Sequence, residues 1–184
     1  QPRFVGENYW TSERRFLFLM INPGAGSGSA ADQKMRMELH EFQSGILDLP
    51  HLLVNQREHM RGWGNGKFLS YLSRIGCHID DIALLNVAWC ASEGDQYPTP
   101  MLTSCFERHT RAAIHALQPT HLIACGRKAQ HHAKKSGIKF IQSPHYAARH
   151  NIDFEAIRRD TEQPGSVSSS TKSVISSNIA HNPD

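Results

Sequence analysis

The chain has 184 residues, 39% of them hydrophobic and 20% charged, a size and balance that fit one compact domain around a single core. Lys+Arg 20 against Asp+Glu 17 gives a net charge of +3, with arginine outnumbering lysine, which suits an anionic partner without demanding one. No run of about 18 apolar residues occurs, which excludes a membrane-spanning helix. The opening QPRFVGENYW also lacks the apolar stretch of a signal peptide, so an intracellular, cytoplasmic protein is expected.

In chain order, Arg15–Ile21 (RFLFLMI) reads as the first strand and is followed by the glycine-rich turn NPGAGSGSA. Ala30–Phe42, with Met35, Met37, Leu39 and Phe42 spaced along it, reads as a helix, and Gly66–Ile75 as another that Gly76 terminates. Asp81–Trp89 (DIALLNVAW) is the second strand. Thr99–Leu117 is the clearest helix, with Thr99 as cap, Pro100 in its first turn and Pro119 just beyond its end. His121–Cys125 is the third strand, Gly126–Lys135 a helix stopped by Gly137, and Ile138–Ile141 the fourth strand. The strand runs are nearly continuous in apolar residues, as in strands covered on both faces. Strands alternating with helices predict an α/β three-layer sandwich with a central four-stranded parallel sheet over residues 1–160. Thr161–Asp184 is serine-rich and poor in large apolar residues, which predicts a loosely docked tail.

Ligands of such sheets bind beyond the carboxyl ends of the strands. The informative residues should therefore follow each apolar run. After the first strand come Asn22, Pro23 and Gly24, then Ala25, Gly26 and Gly28; a glycine-rich turn of this kind can cradle phosphate, but the G-x-G-x-x-G pattern is not met because Ser29 stands at the third glycine. Asn86 is an amide in an apolar strand, satisfied either by neighbouring backbone or by the edge of a heterocyclic base. Ser143-Pro144-His145-Tyr146 follows the last strand, where a proline-fixed turn sets a histidine at the sheet edge.

Four cysteines, Cys77, Cys90, Cys105 and Cys125, are widely spaced with no C-x-x-C and read as reduced, mostly buried thiols. Twelve histidines are many, yet His131-His132 and His109/His115 lack metal-ligand partners at helical spacing, so no metal is expected. Trp63, in RGWGNG, suits either a stacking surface or a structural position. Arg57, Arg61, Lys67, Arg127, Lys128, Arg149, Arg158 and Arg159 are solvated charges individually, and a phosphate track if several share one sheet edge.

Taken together, MINPG (Met20–Gly24), ALLNVAW (Ala83–Trp89) and SPHYAAR (Ser143–Arg149) resemble, in order and placement, the motifs of the uracil-DNA glycosylase superfamily. YPTP (Tyr97–Pro100) and ACGRKA (Ala124–Ala129) are similar to segments of its iron–sulfur branch. The resemblance spans roughly Phe16 to Asn151. It implies a monofunctional DNA glycosylase that flips a base from the stack and hydrolyses its N-glycosidic bond, leaving an abasic site. Asn22 and His145 would be catalytic, Asn22 positioning the water and His145 donating to the base carbonyl O2. Gly24, Ala25 and Asn86 would bind the base. Arg127, Lys128, Ser143, Tyr146 and Arg149 would contact DNA, Arg149 as the wedge that fills the vacated stack. No cysteine precedes Cys77, so no cluster and no other cofactor is implied.

Two differences from the family stand out, the first at the His145 motif and the second at the substrate position. The second motif reads His-Tyr-Ala rather than His-Pro-Ser, and Gly24–Gly28 are small where strictly uracil-directed enzymes carry a tyrosine. Room at that position implies uracil with relaxed selectivity or a bulkier modified cytosine, in DNA repair or in a bacterial or phage-related defence role. The expected partner is duplex or single-stranded DNA, with the protein a monomer away from membranes. The readings that compete with this one are a catalytically silent DNA- or base-binding module of the same fold, and a phosphate-binding, kinase-like enzyme using the Gly24–Gly28 loop.

Overall fold

The computed structural model describes residues 4–21, 30–89, 96–148 and 152–163. Its elements are β1 (Phe4–Val5), β2 (Phe16–Met20), α1 (Ala30–Gln43), α2 (Leu49–Gly62), α3 (Lys67–Arg74), β3 (Ile82–Asn86), α4 (Thr99–Cys105), α5 (Arg111–Leu117), β4 (His121–Cys125), α6 (Arg127–Lys135), β5 (Ile141–Ser143) and α7 (Phe154–Glu162). The sheet has the order β1-β3-β2-β4-β5. The pairs β2/β3, β2/β4 and β4/β5 are parallel and β1/β3 is antiparallel. The sheet is therefore mixed and five-stranded rather than purely parallel and four-stranded, because the short β1 adds an edge that Phe4 and Val5 are too brief to announce.

Alternation along the strands divides the core in two. Phe16, Phe18, Met20, Ile82, Leu84, Ile123 and Cys125 face Met60 of α2, Phe68, Tyr71 and Leu72 of α3, and Ile157 of α7. Leu17, Leu19, Ala83, Leu85, Leu122 and Ala124 face Leu102 of α4, Phe106 of the turn between α4 and α5, Ile114 and Leu117 of α5, and Ala129 and Ala133 of α6. Helices thus cover both faces, as expected of buried parallel strands. Among the described residues no helix is long and apolar enough to cross a membrane.

Several sequence boundaries move. β5 begins at Ile141 rather than Ile138, because the chain is still closing α6: Gly137 N–H donates to Lys134 O (3.0 Å) and Ile138 N–H to Ala133 O (3.1 Å). The helix over Thr99–Leu117 is continuous but holds one π turn at Phe106–Thr110. The tail does not start at Thr161. α7 runs to Glu162, Thr161 is buried, and His121 Nε2 lies 2.9 Å from the carbonyl of Gln163, so these residues dock against the start of β4. Residues 164–184 lie outside the described part.

Candidate functional site

Because β3, β2, β4 and β5 run parallel, their carboxyl ends share one edge. Beyond the ladder, Val87 N–H donates to Met20 O (2.9 Å) and Ala88 N–H to Ile21 O (2.8 Å), so the ends of β2 and β3 stay together to the point where the chain leaves the sheet. Asn22, Gly24 and Ala25 follow there and lie outside the described residues, as do Arg149, Cys90 and His150.

Asn86 ends β3 and is 3% exposed, and its side-chain oxygen has no hydrogen-bond partner among the described residues. Neighbouring backbone therefore leaves the amide oxygen unsatisfied. A buried polar atom so left costs about 1–3 kcal/mol. Position 86 continues the alternation of Ile82 and Leu84, so the amide stands on the face covered by α2, α3 and α7. Its backbone carbonyl is held separately. Thr110, fully buried in the π turn, donates its hydroxyl to Asn86 O at 2.8 Å and accepts from Trp89 Nε1 at 2.8 Å. The extra residue of the π turn aims Thr110 at the strand end, a displacement common near functional sites. Sequence reading missed Thr110; a threonine inside an otherwise apolar helical stripe was its only signal.

The end of β5 is fastened to the start of α6. Gly126 N–H donates to Ser143 O (2.8 Å), and Gln130 Nε2 donates to Ser143 O (2.9 Å) and Ala124 O (3.2 Å). Gly126 has φ +86, and a Cβ there would come within 4.0 Å of His145 Cβ, so His145 hangs over the end of β4. The ring is half-buried. Ala147 N–H donates to its Nδ1 at 3.2 Å, so Nδ1 carries no proton and the neutral ring presents Nε2–H as a donor. Burial holds the ring's pKa below the ordinary histidine value, which favours that neutral form.

Tyr146 fixes the other side of the loop. Its ring lies 4.4 Å from that of His145, 5.1 Å from Trp63 and 5.4 Å from Phe68. Gly64, with φ +61, makes this approach possible, since a Cβ there would sit 2.9 Å from Tyr146 Cε2. Trp63 is thus part of a wall of rings that supports the histidine loop.

The structure separates the expected DNA contacts. Ser143 is fully buried; its hydroxyl donates to Pro144 O (2.8 Å) and receives the Tyr71 hydroxyl (2.7 Å), so it serves the interior rather than a surface strand of DNA. Cys125 lies in the same pocket of polar atoms, its thiol pushed up to about 12 by burial. Arg127 and Lys128 are exposed at the start of α6, on the carboxyl edge. Arg57 pairs with the buried carboxylate of Asp80, Arg61 with Glu58 and Arg158 with Glu162, so these three are committed within the protein. His132 is buried against Phe106, and among the described residues no three His, Cys, Asp or Glu side chains converge as a metal site.

Compared with protein-family models, with curated proteins and with solved structures, the chain finds no match.

Proposed function

We propose that the protein is a monofunctional DNA glycosylase that takes a deaminated or modified pyrimidine out of the stack and hydrolyses its N-glycosidic bond. The observation that carries this reading is Asn86, a buried amide with an unspent oxygen at the carboxyl edge of the sheet. An amide offers a donor and an acceptor together, as the edge of a base requires. His145, over the end of β4, and Asn86, at the end of β3, flank β2 and stand two strand spacings apart, about 10 Å at roughly 4.8 Å per strand. One heterocycle with a hydrogen bond at either end fits such a gap.

The chemistry follows from these groups. Breaking the bond sends its electron pair to the base, and the sugar becomes cationic. Water adds hydroxide to the anomeric carbon and the base leaves with the proton. A neutral histidine donating Nε2–H to the base carbonyl stabilises the charge that develops there, and a donor aimed at such charge is worth about 2.7–4 kcal/mol. Asn22, by the family resemblance, positions the water. β2, which Asn22 follows in the sequence, lies between β3 and β4. Flipping costs a few kcal/mol, offset by contacts in the pocket. The small residues Gly24–Gly28 favour uracil without strict selectivity, or a bulkier cytosine derivative.

The test is a panel of duplex and single-stranded oligonucleotides carrying uracil, hydroxymethylcytosine or glycosylated cytosine, scored for alkali-labile abasic sites. Wild-type protein should cleave at least one of them and His145→Ala should not. Equal inactivity of both across the whole panel would overturn the enzyme and leave a base-binding module.

A further inference from the structure

Beside the aromatic wall, α3 and the start of α7 border an open cleft of about 400 Å³, lined by Lys67, Ser70, Arg74, Tyr146, Ala148 and Phe154 among others. Lys67, Ser70, Tyr71 and Arg74 recur at i, i+3, i+4 and i+7, so one face of α3 presents two cations and a hydroxyl to the same space. No carboxylate lines the cleft, and among the described residues neither Lys67 nor Arg74 is paired with one. Elsewhere on the surface, Arg61, Arg111 and Arg158 each meet a glutamate on their own helix. The Arg74 guanidinium carbon sits 3.6 Å from the centre of the Phe154 ring, a cation–π contact that holds the charge at the rim of the cleft. Lys67 and Arg74 stand seven positions apart on α3, about 10 Å at a rise of 1.5 Å per residue. That spread suits successive charges of a polyanion better than one compact anion.

Tyr146 belongs both to this cleft and to the histidine loop, its ring against that of His145. We propose that the cleft binds the backbone phosphates of the DNA strand next to the flipped nucleotide, with Lys67 and Arg74 supplying the charge and Ser70 a hydroxyl donor. This inference rests on the glycosylase reading above. Contacts of this kind position the strand and carry no base preference.

The experiment measures binding of the full chain to labelled duplexes, with and without the cleaved base, by fluorescence anisotropy between about 50 and 200 mM salt. Lys67→Gln and Arg74→Gln should each lower the slope of log K against log salt by about 1, equally for both duplexes. Arg74→Lys should restore most of the slope, and Lys134→Gln, on the exposed side of α6, should leave it unchanged. Circular dichroism checks that each variant is folded. Slopes equal to wild type in folded Lys67→Gln and Arg74→Gln, with base release intact, overturn the cleft and leave the glycosylase standing. Reduced slopes without base release from any substrate support the phosphate cleft and overturn the glycosylase. Binding of inorganic phosphate that Lys67→Gln abolishes, with duplex affinity unchanged, assigns the cleft to a free anion and overturns the proposal.

Discussion

On one face of the sheet, α4, α5 and α6 bring Leu102, Ile114, Leu117 and small alanines against Leu17, Leu19, Leu85 and Leu122. On the other, α2, α3 and α7 bring rings, Phe68 and Tyr71 with Trp63, Tyr146 and Phe154 beside them, and there polar atoms enter the interior: Asn86, Ser143 and the Tyr71 hydroxyl. The first face also buries Tyr9, Phe106, Thr110 and His132, with the Tyr9 and Thr110 hydroxyls bonded to the carbonyls of Leu117 and Asn86. The aromatic face carries groups that packing alone does not require, and the amide oxygen of Asn86 is left without a partner on it. The candidate site belongs to the second face, and among the described residues the first reaches it through Thr110 and the strand end.

The largest expected effects test that division directly. Phe68→Ala should cost about 3–5 kcal/mol in denaturant unfolding, and Leu102→Ala about 2–5 kcal/mol. Only Phe68→Ala should also impair base release per folded molecule, because Phe68 buttresses Tyr146 and so His145. Equal impairment by both would erase the distinction between the faces.

Asn86→Leu should separate function from stability. It should remove base release while leaving the melting temperature unchanged or raised, since replacing an unsatisfied buried amide by an apolar group relieves a penalty of about 1–3 kcal/mol. A large fall in melting temperature would mean that Asn86 is structural. Thr110→Val, from the other face, strands the Trp89 N–H and the Asn86 carbonyl and should cost about 1–3 kcal/mol in the same unfolding measurement. Tyr71→Phe should cost less, about 1 kcal/mol, because Ser143 keeps its bond to Pro144.

The smallest effect is in pH. His145 is held below the ordinary histidine pKa by burial, so on acidification the unfolded chain takes up a proton before the folded one. Stability should therefore fall as pH drops through the ordinary histidine range near 6.5. His132, also lowered by burial, contributes in the same direction. The difference between wild type and His145→Gln in melting temperature across that range isolates the His145 share. Base release should persist below the ordinary value and decline only as the ring itself protonates and Nδ1 can no longer accept from Ala147.

Sequence alone determined the four parallel strands to within a few residues, because continuous apolar runs bounded by Gly, Pro and Asn are a local property of the chain. It also placed His145 just beyond a strand, whereas Asn86, read inside the strand Asp81–Trp89, proved to be the last residue of β3. It was silent on α2, whose apolar residues cluster at its start (Leu49, Leu52, Leu53, Val54) rather than recurring along it, on the short α7, and on β1, which pairs with the edge that Ile82–Asn86 offers. Which groups remain available was decided by tertiary contact. The resemblance names Ser143 as a DNA contact, and in the fold its hydroxyl meets that of Tyr71, 72 positions earlier. Arg57 belonged to the same set of basic residues until Asp80, 23 positions later, took it, while Arg61 and Arg158 meet glutamates one turn away on their own helices and Lys67 and Arg74 were left unpaired beside the loop. Hydrogen bonds and ion pairs close between residues distant in sequence as readily as between neighbours, so only the folded chain reveals which donors and charges are already spent.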